Sequence, residues 1–95
     1  MTIVKKSDYL WYTVGNVDKV PEVTGVYAFL TMSKRWLYVG SAGAGRPRGR
    51  IGEHWRAIGW PDVYYFRWFQ TDSEDSARAT QREWIEKYKP KYNEH

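Results

Sequence analysis

Strands and helices are mixed along this chain, and three observations predict a small α/β domain. Two apolar runs of strand length carry the tripeptides Gly25-Val26-Tyr27 and Tyr38-Val39-Gly40, with the polar residues 31–35 between them, which is the pattern of a β-hairpin. Two later segments repeat apolar residues at helical spacing: Ile51, Trp55 and Ile58, then Ala77, Trp84, Ile85 and Tyr88, with Gln81 on the same side. A length of 95 residues suits one domain, residues 1–95, that buries roughly 60–65% of the surface its unfolded chain exposes.

Taken in order, residues 1–8 read as a ragged start. Residues 9–14, Tyr-Leu-Trp-Tyr-Thr-Val, are β-prone through aromatic and branched side chains, and Gly15-Asn16 ends the run. The hairpin is expected over residues 25–30 and 36–40. Residues 41–49 hold four glycines or prolines and predict a loop. The helix that follows puts Arg50 and His54 on a stripe beside its apolar one. Gly59-Trp60-Pro61-Asp62 interrupts, and residues 63–69 read as an aromatic strand. Thr71 with Glu74, or Asp72 with Asp75, offers the cap for a last helix over about residues 73–89, which Pro90 stops.

Composition narrows the chemistry. There is no cysteine, so disulfides, thiolate zinc sites and a cysteine nucleophile are excluded, and stability must come from packing. Six tryptophans, eight tyrosines and three phenylalanines supply that packing. No apolar run approaches the roughly 18 residues of a membrane span. The first residues lack an apolar signal core, so a cytoplasmic location without membrane contact is the expectation. The net charge of +4 is concentrated in Arg46, Arg48, Arg50 and Arg56, offset locally only by Glu53. Such a patch suits a polyanion. Two phenols on one hairpin beside an arginine point to phosphate, and so to nucleic acid. Gly43 and Gly45 lack a following Lys-Ser or Lys-Thr, which argues against a nucleotide-binding P-loop.

Those two tripeptides, Arg50 with His54, and a closing helix followed by Pro90-Lys91-Tyr92-Asn93 together resemble the GIY-YIG nuclease domain, over residues 22–93. The resemblance implies an α+β fold, a three-stranded antiparallel sheet flanked by helices, that cuts DNA with one Mg2+ or Mn2+ ion. It implies catalytic roles for Tyr27 and Tyr38, one of them as base or water-positioning group, for Arg50 on the scissile phosphate, and for His54. Asn93 matches the family's carboxy-terminal asparagine, and Arg46 and Arg48 are expected to meet DNA phosphates. One position departs: counting back from Trp84 or from Pro90, the family's metal-binding glutamate is here Gln81. Glu83 is two residues on, a rotation of about 200° around a helix, and points elsewhere.

Each candidate has a plain chemical rationale beside a structural one. A phenol acts as base only if a nearby cation lowers its pKa from about 10; otherwise Tyr27 and Tyr38 are strand aromatics packed by their rings. Arg50 offers a planar fork that holds a phosphate through two hydrogen bonds. A free imidazole titrates near neutral pH, which is the chemical rationale for a proton-passing role at His54; otherwise it is a structural histidine. Magnesium prefers charged, hard oxygen ligands, so an amide at residue 81 weakens metal binding, and a polar group on that apolar helix face needs a partner. The expectation is a DNA endonuclease impaired at Gln81, or a DNA-binding module on the same fold, with specificity from this surface, a homodimer or a partner protein.

Overall fold

Every residue of the strand Gly25–Leu30 is buried, and the rest of the molecule is arranged around it. The computed structural model describes residues 3–43, 49, 51–52 and 60–93. Its elements are β1 (Ile3–Lys6), β2 (Leu10–Trp11), α1 (Val14–Asp18), β3 (Gly25–Leu30), β4 (Trp36–Ala42), β5 (Tyr65–Thr71), α2 (Glu74–Tyr88) and a 3-10 turn (Lys91–Asn93). All strand pairs are antiparallel, in the order β1-β5-β3-β4, with β2 also on β5.

The sheet therefore has five strands where the family resemblance implies three. The added pair comes from the segment read as a ragged start. Ile3 pairs with Thr71 and Lys6 with Phe69, then Leu10 with Phe66 and Trp11 with Tyr65. β1 and β2 are thus two pieces of one interrupted edge, satisfying the backbone groups that β5 would otherwise expose. The strand expected over residues 9–14 shrinks to Leu10–Trp11 because Thr13 turns the chain. Its side chain accepts the Asn16 N–H at 3.2 Å and caps α1, so Gly15 and Asn16 lie in a helix instead of ending a strand.

The hairpin forms where its sequence places it. Thr31 and Arg35 close the turn, and Lys34 takes a left-handed conformation, φ 66°. β4 runs two residues past Gly40, and β5 starts two residues later than expected, after the turn at Trp60 to Val63. α2 begins one residue past its cap, which is Ser73 in place of Thr71 or Asp72; the Ser73 hydroxyl accepts the Ser76 N–H at 3.1 Å. Thr71 is still strand, its hydroxyl spent on the Ser73 carbonyl. Glu74 and Asp75 in the first turn and Lys87 in the last complement the helix dipole.

Alternation along β3 divides the core. Tyr27 and Phe29 join Val17, Val20, Ile51 and Phe66 on one side, with Tyr12, Tyr38 and Trp60 packed against them. Val26, Ala28 and Leu30 join Val39 and Phe69 on the other, under Ala77, Trp84 and Ile85 of α2. Each fully buried large side chain contributes about 1.5–3 kcal/mol. Thr80, also buried, has no hydrogen-bond partner for its hydroxyl among the described residues. Gly49, Ile51 and Gly52 are helical, and Ile51 is fully buried, as its place in the apolar stripe predicts. Arg46, Arg48, Arg50, His54, Trp55, Arg56 and Ile58 lie outside the described residues.

Candidate active site

The two tripeptides are a steric pair. Tyr27 sits opposite Gly40 in the β3–β4 register. Its ring crosses that glycine: a Cβ on Gly40 would stand 2.4 Å from both the ring Cζ and the hydroxyl of Tyr27. Tyr27 is only 2% exposed, so no larger residue than glycine fits beneath it. Gly25 is constrained by backbone, since a Cβ there would come within 2.0 Å of the Phe69 carbonyl oxygen.

Tyr38 follows on the same side. Its ring centroid is 6.2 Å from that of Tyr27, 5.9 Å from Phe29 and 5.2 Å from Trp60. Trp60 is stacked on Tyr92 at 4.2 Å. Tyr92 donates its hydroxyl to Asp62 Oδ1 at 2.5 Å, and Lys91 reaches Oδ2 at 3.3 Å. The Tyr92 hydrogen bond holds the Asp62 carboxyl below its ordinary pKa and pushes the Tyr92 phenol up. On the same side Tyr12, whose phenol burial pushes upward, donates to the Ile51 carbonyl at 3.1 Å, anchoring the chain one residue beyond Arg50.

Gln81 lies on the other side of the sheet and has the partner its position demands. Its Oε1 accepts from the Ser41 hydroxyl at 2.6 Å, and its Nε2 donates to the Val39 carbonyl at 3.4 Å. Asn93 completes the arrangement. Its Oδ1 accepts the Val39 N–H at 2.8 Å and its Nδ2 donates to the Val39 carbonyl at 3.0 Å. β4 is an edge strand, so Val39's outward backbone groups need partners, and one side-chain amide serves both. Glu83 is exposed, as the helical rotation predicts.

The structure thus brings Tyr27 to Tyr38 on one face of the sheet, and Gln81 and Asn93 to the Val39 backbone at the edge of β4. Ser41 marks the strand-to-loop junction in the sequence; its role as Gln81's hydrogen-bond donor emerges only once β4 is known to reach Ala42. Nothing in the sequence signals Tyr12 or Asp62. Among the described residues no group of three His, Cys, Asp or Glu side chains could hold a metal, and no helix is long and apolar enough to cross a membrane.

No protein-family model matches the chain, and no curated protein does. Solved structures do. The magnesium-bound GIY-YIG N-terminal endonuclease domain of UvrC from Thermotoga maritima superposes with a TM-score of 0.73 at 24% identity, over 84% of this chain and 93% of that one. The chain has the GIY-YIG fold. A tyrosine-to-phenylalanine mutant of the Thermotoga domain, bound to its catalytic divalent cation, matches with TM-score 0.73 at 23% identity over 85% of this chain and 93% of that one. An asparagine-to-alanine mutant, also cation-bound, gives 0.71 at 24% identity over 82% and 90%. On that fold, the chain's N-terminal segment fills the free edge of β5.

Proposed function

We propose that the chain, as one unit over residues 1–95, is a DNA endonuclease domain of the GIY-YIG type, impaired in this form at Gln81. The observation that carries the impairment is the Ser41–Gln81–Val39 network, at the residue which counting back from Pro90 matches to the family's metal-binding glutamate. The oxygen of Gln81 is neutral and already accepts a short hydrogen bond, so it offers a divalent cation little. Magnesium, the catalytic cation of the Thermotoga domain, or manganese is the cofactor this reading assigns, held weakly here.

In this reading Arg50 binds the scissile phosphate, Tyr27 or Tyr38 aligns the attacking water, and His54 moves a proton. Arg46, Arg48 and Asn93 lie against DNA. The domain works in the cytoplasm, and a homodimer or partner protein adds sequence or structure preference. A catalytically silent DNA-binding module is the second reading, favoured by the same closed Gln81 network.

Cleavage of plasmid and branched DNA in magnesium or manganese separates the two, with the chain compared to Gln81→Glu and to Gln81→Glu carrying Arg50→Ala. A carboxylate at residue 81 still accepts from Ser41; it loses the long bond to the Val39 carbonyl, which Asn93 still serves. Cutting by Gln81→Glu that Arg50→Ala abolishes is the expected result. DNA held equally in chelator, with no cutting by any variant, supports the binding module.

A further inference from the structure

α2 lies mainly over β3 and β4, leaving the β5 and β2 part of the same sheet face outside its cover. Aromatic rings and cations occupy that part. Trp11 leans on Tyr65 with centroids 4.7 Å apart, and Tyr9 meets Tyr65 edge-on at 6.3 Å. The Arg67 guanidinium lies 4.5 Å from the Tyr9 ring and 4.9 Å from that of Phe69, and Lys34 Nζ stands 4.9 Å over Tyr9. Arg67 is fixed by bonds from Nε and Nη2 to the Ser7 carbonyl at 3.0 and 2.8 Å. Trp11 is nevertheless 53% exposed and Tyr9 41%.

We propose that this face binds single-stranded nucleic acid, with bases stacking on Trp11 and Tyr9 and phosphates meeting Lys34 and its neighbours. Charge complementarity selects the occupant. Lys6, paired with Phe69, stands on this face with Arg67 and with Lys34 over Tyr9, while the edge segment that borders it, residues 3–11, contains the single acid Asp8. Exposed rings interleaved with cations are what unpaired bases and their backbone require, and duplex bases cannot offer their faces to them. Tyr65 pairs with Leu30 and Ser41 with Val26, so the face and the Gln81 network stand about 13 Å apart along β3. Binding here needs neither metal nor cleavage and goes beyond the nuclease reading: it holds an unpaired strand beside whatever the other end of the sheet engages.

The test uses the full chain in chelator, with fluorescence anisotropy of labelled oligo(dT) of about 12 nucleotides and of a duplex of equal length. Trp11→Ala and Tyr9→Ala are each expected to weaken oligo(dT) binding about tenfold while leaving duplex binding unchanged. Unchanged oligo(dT) affinity in both variants, or equal losses on duplex, overturns the proposal. The indole N–H resonance of Trp11 in the unaltered chain, assigned with Trp11→Phe, is independent of variant folding. It should shift on adding oligo(dT); a signal that stays put at saturation overturns the proposal. Concentration-dependent broadening of that signal without nucleic acid would assign the face to a second copy and equally overturn it. Because all these readouts are taken without metal, failure of Gln81→Glu to cut leaves them untouched.

Discussion

The β3–β4 half of the sheet and the β5–β2 half are built on opposite terms. In the first, tolerances are set by contact: a tyrosine ring crosses a glycine, α2 lies on top, and the Asn93 amide closes the outer edge. In the second, large rings are left partly in water and held by cations and by one another. The difference follows from dimensions. A helix about 10 Å across covers roughly two strands spaced about 4.8 Å apart, and among the described residues this sheet is four strands wide with one long helix on that side. What a single helix cannot cover must be finished with side chains that tolerate both water and packing, and tyrosine, tryptophan and arginine do so.

If that contrast is right, the two halves respond differently to substitution. Gly40→Ala should have the largest effect, because the new methyl collides with the buried ring of Tyr27. A loss of about 3 kcal/mol is expected in urea unfolding, and a loss under 1 kcal/mol would mean that Tyr27 moves freely. Asn93→Ala removes both of its bonds to Val39, leaving the edge N–H without that partner and the carbonyl with only the long bond from Gln81. It should cost about 2 kcal/mol, with faster amide exchange at Val39 as its specific sign. Thr80→Val acts in the opposite direction. Exchanging the unpartnered buried hydroxyl for a methyl should raise stability by about 1 kcal/mol, and a loss would reveal a partner for that hydroxyl. Trp11→Ala, in the open half, should change stability by no more than about 0.5 kcal/mol; a Tm that collapses would make Trp11 a core residue and erase the contrast.

The closed half was the legible one. Gly-Val-Tyr and Tyr-Val-Gly announce strands because they alternate and are bounded by polar residues, but their register was not legible: Leu30 pairs with Trp36, and only the one-residue shift between Leu30 and Phe29 brings Gly40 opposite Tyr27. The face of α2 follows from its period, and Gln81 stands out as polar on that face. The edge strand β1–β2 was not legible. Residues 3–6 are half charged and too short to carry a pattern, and only β5's unfilled edge gives them a structure. The cap of α2 moved for a related reason: Ser73 competes with Thr71 and Asp72, which also cap helices, and the end of β5 at Thr71 decides between them. The partners of Gln81 and Asn93 depend on contacts some 40 to 54 residues away in sequence, beyond the reach of local spacing.

Asn93 has a further consequence, for how molecules meet. An uncovered strand edge is a template on which a second chain can add its own strand. At one border of this sheet the register shift between Ile3 and Lys5, together with two successive lysines, spoils the template. At the other a single carboxamide at residue 93 imitates the strand that is missing. A chain cut after Pro90 would lose that carboxamide and offer the Val39 N–H to a neighbouring chain's strand.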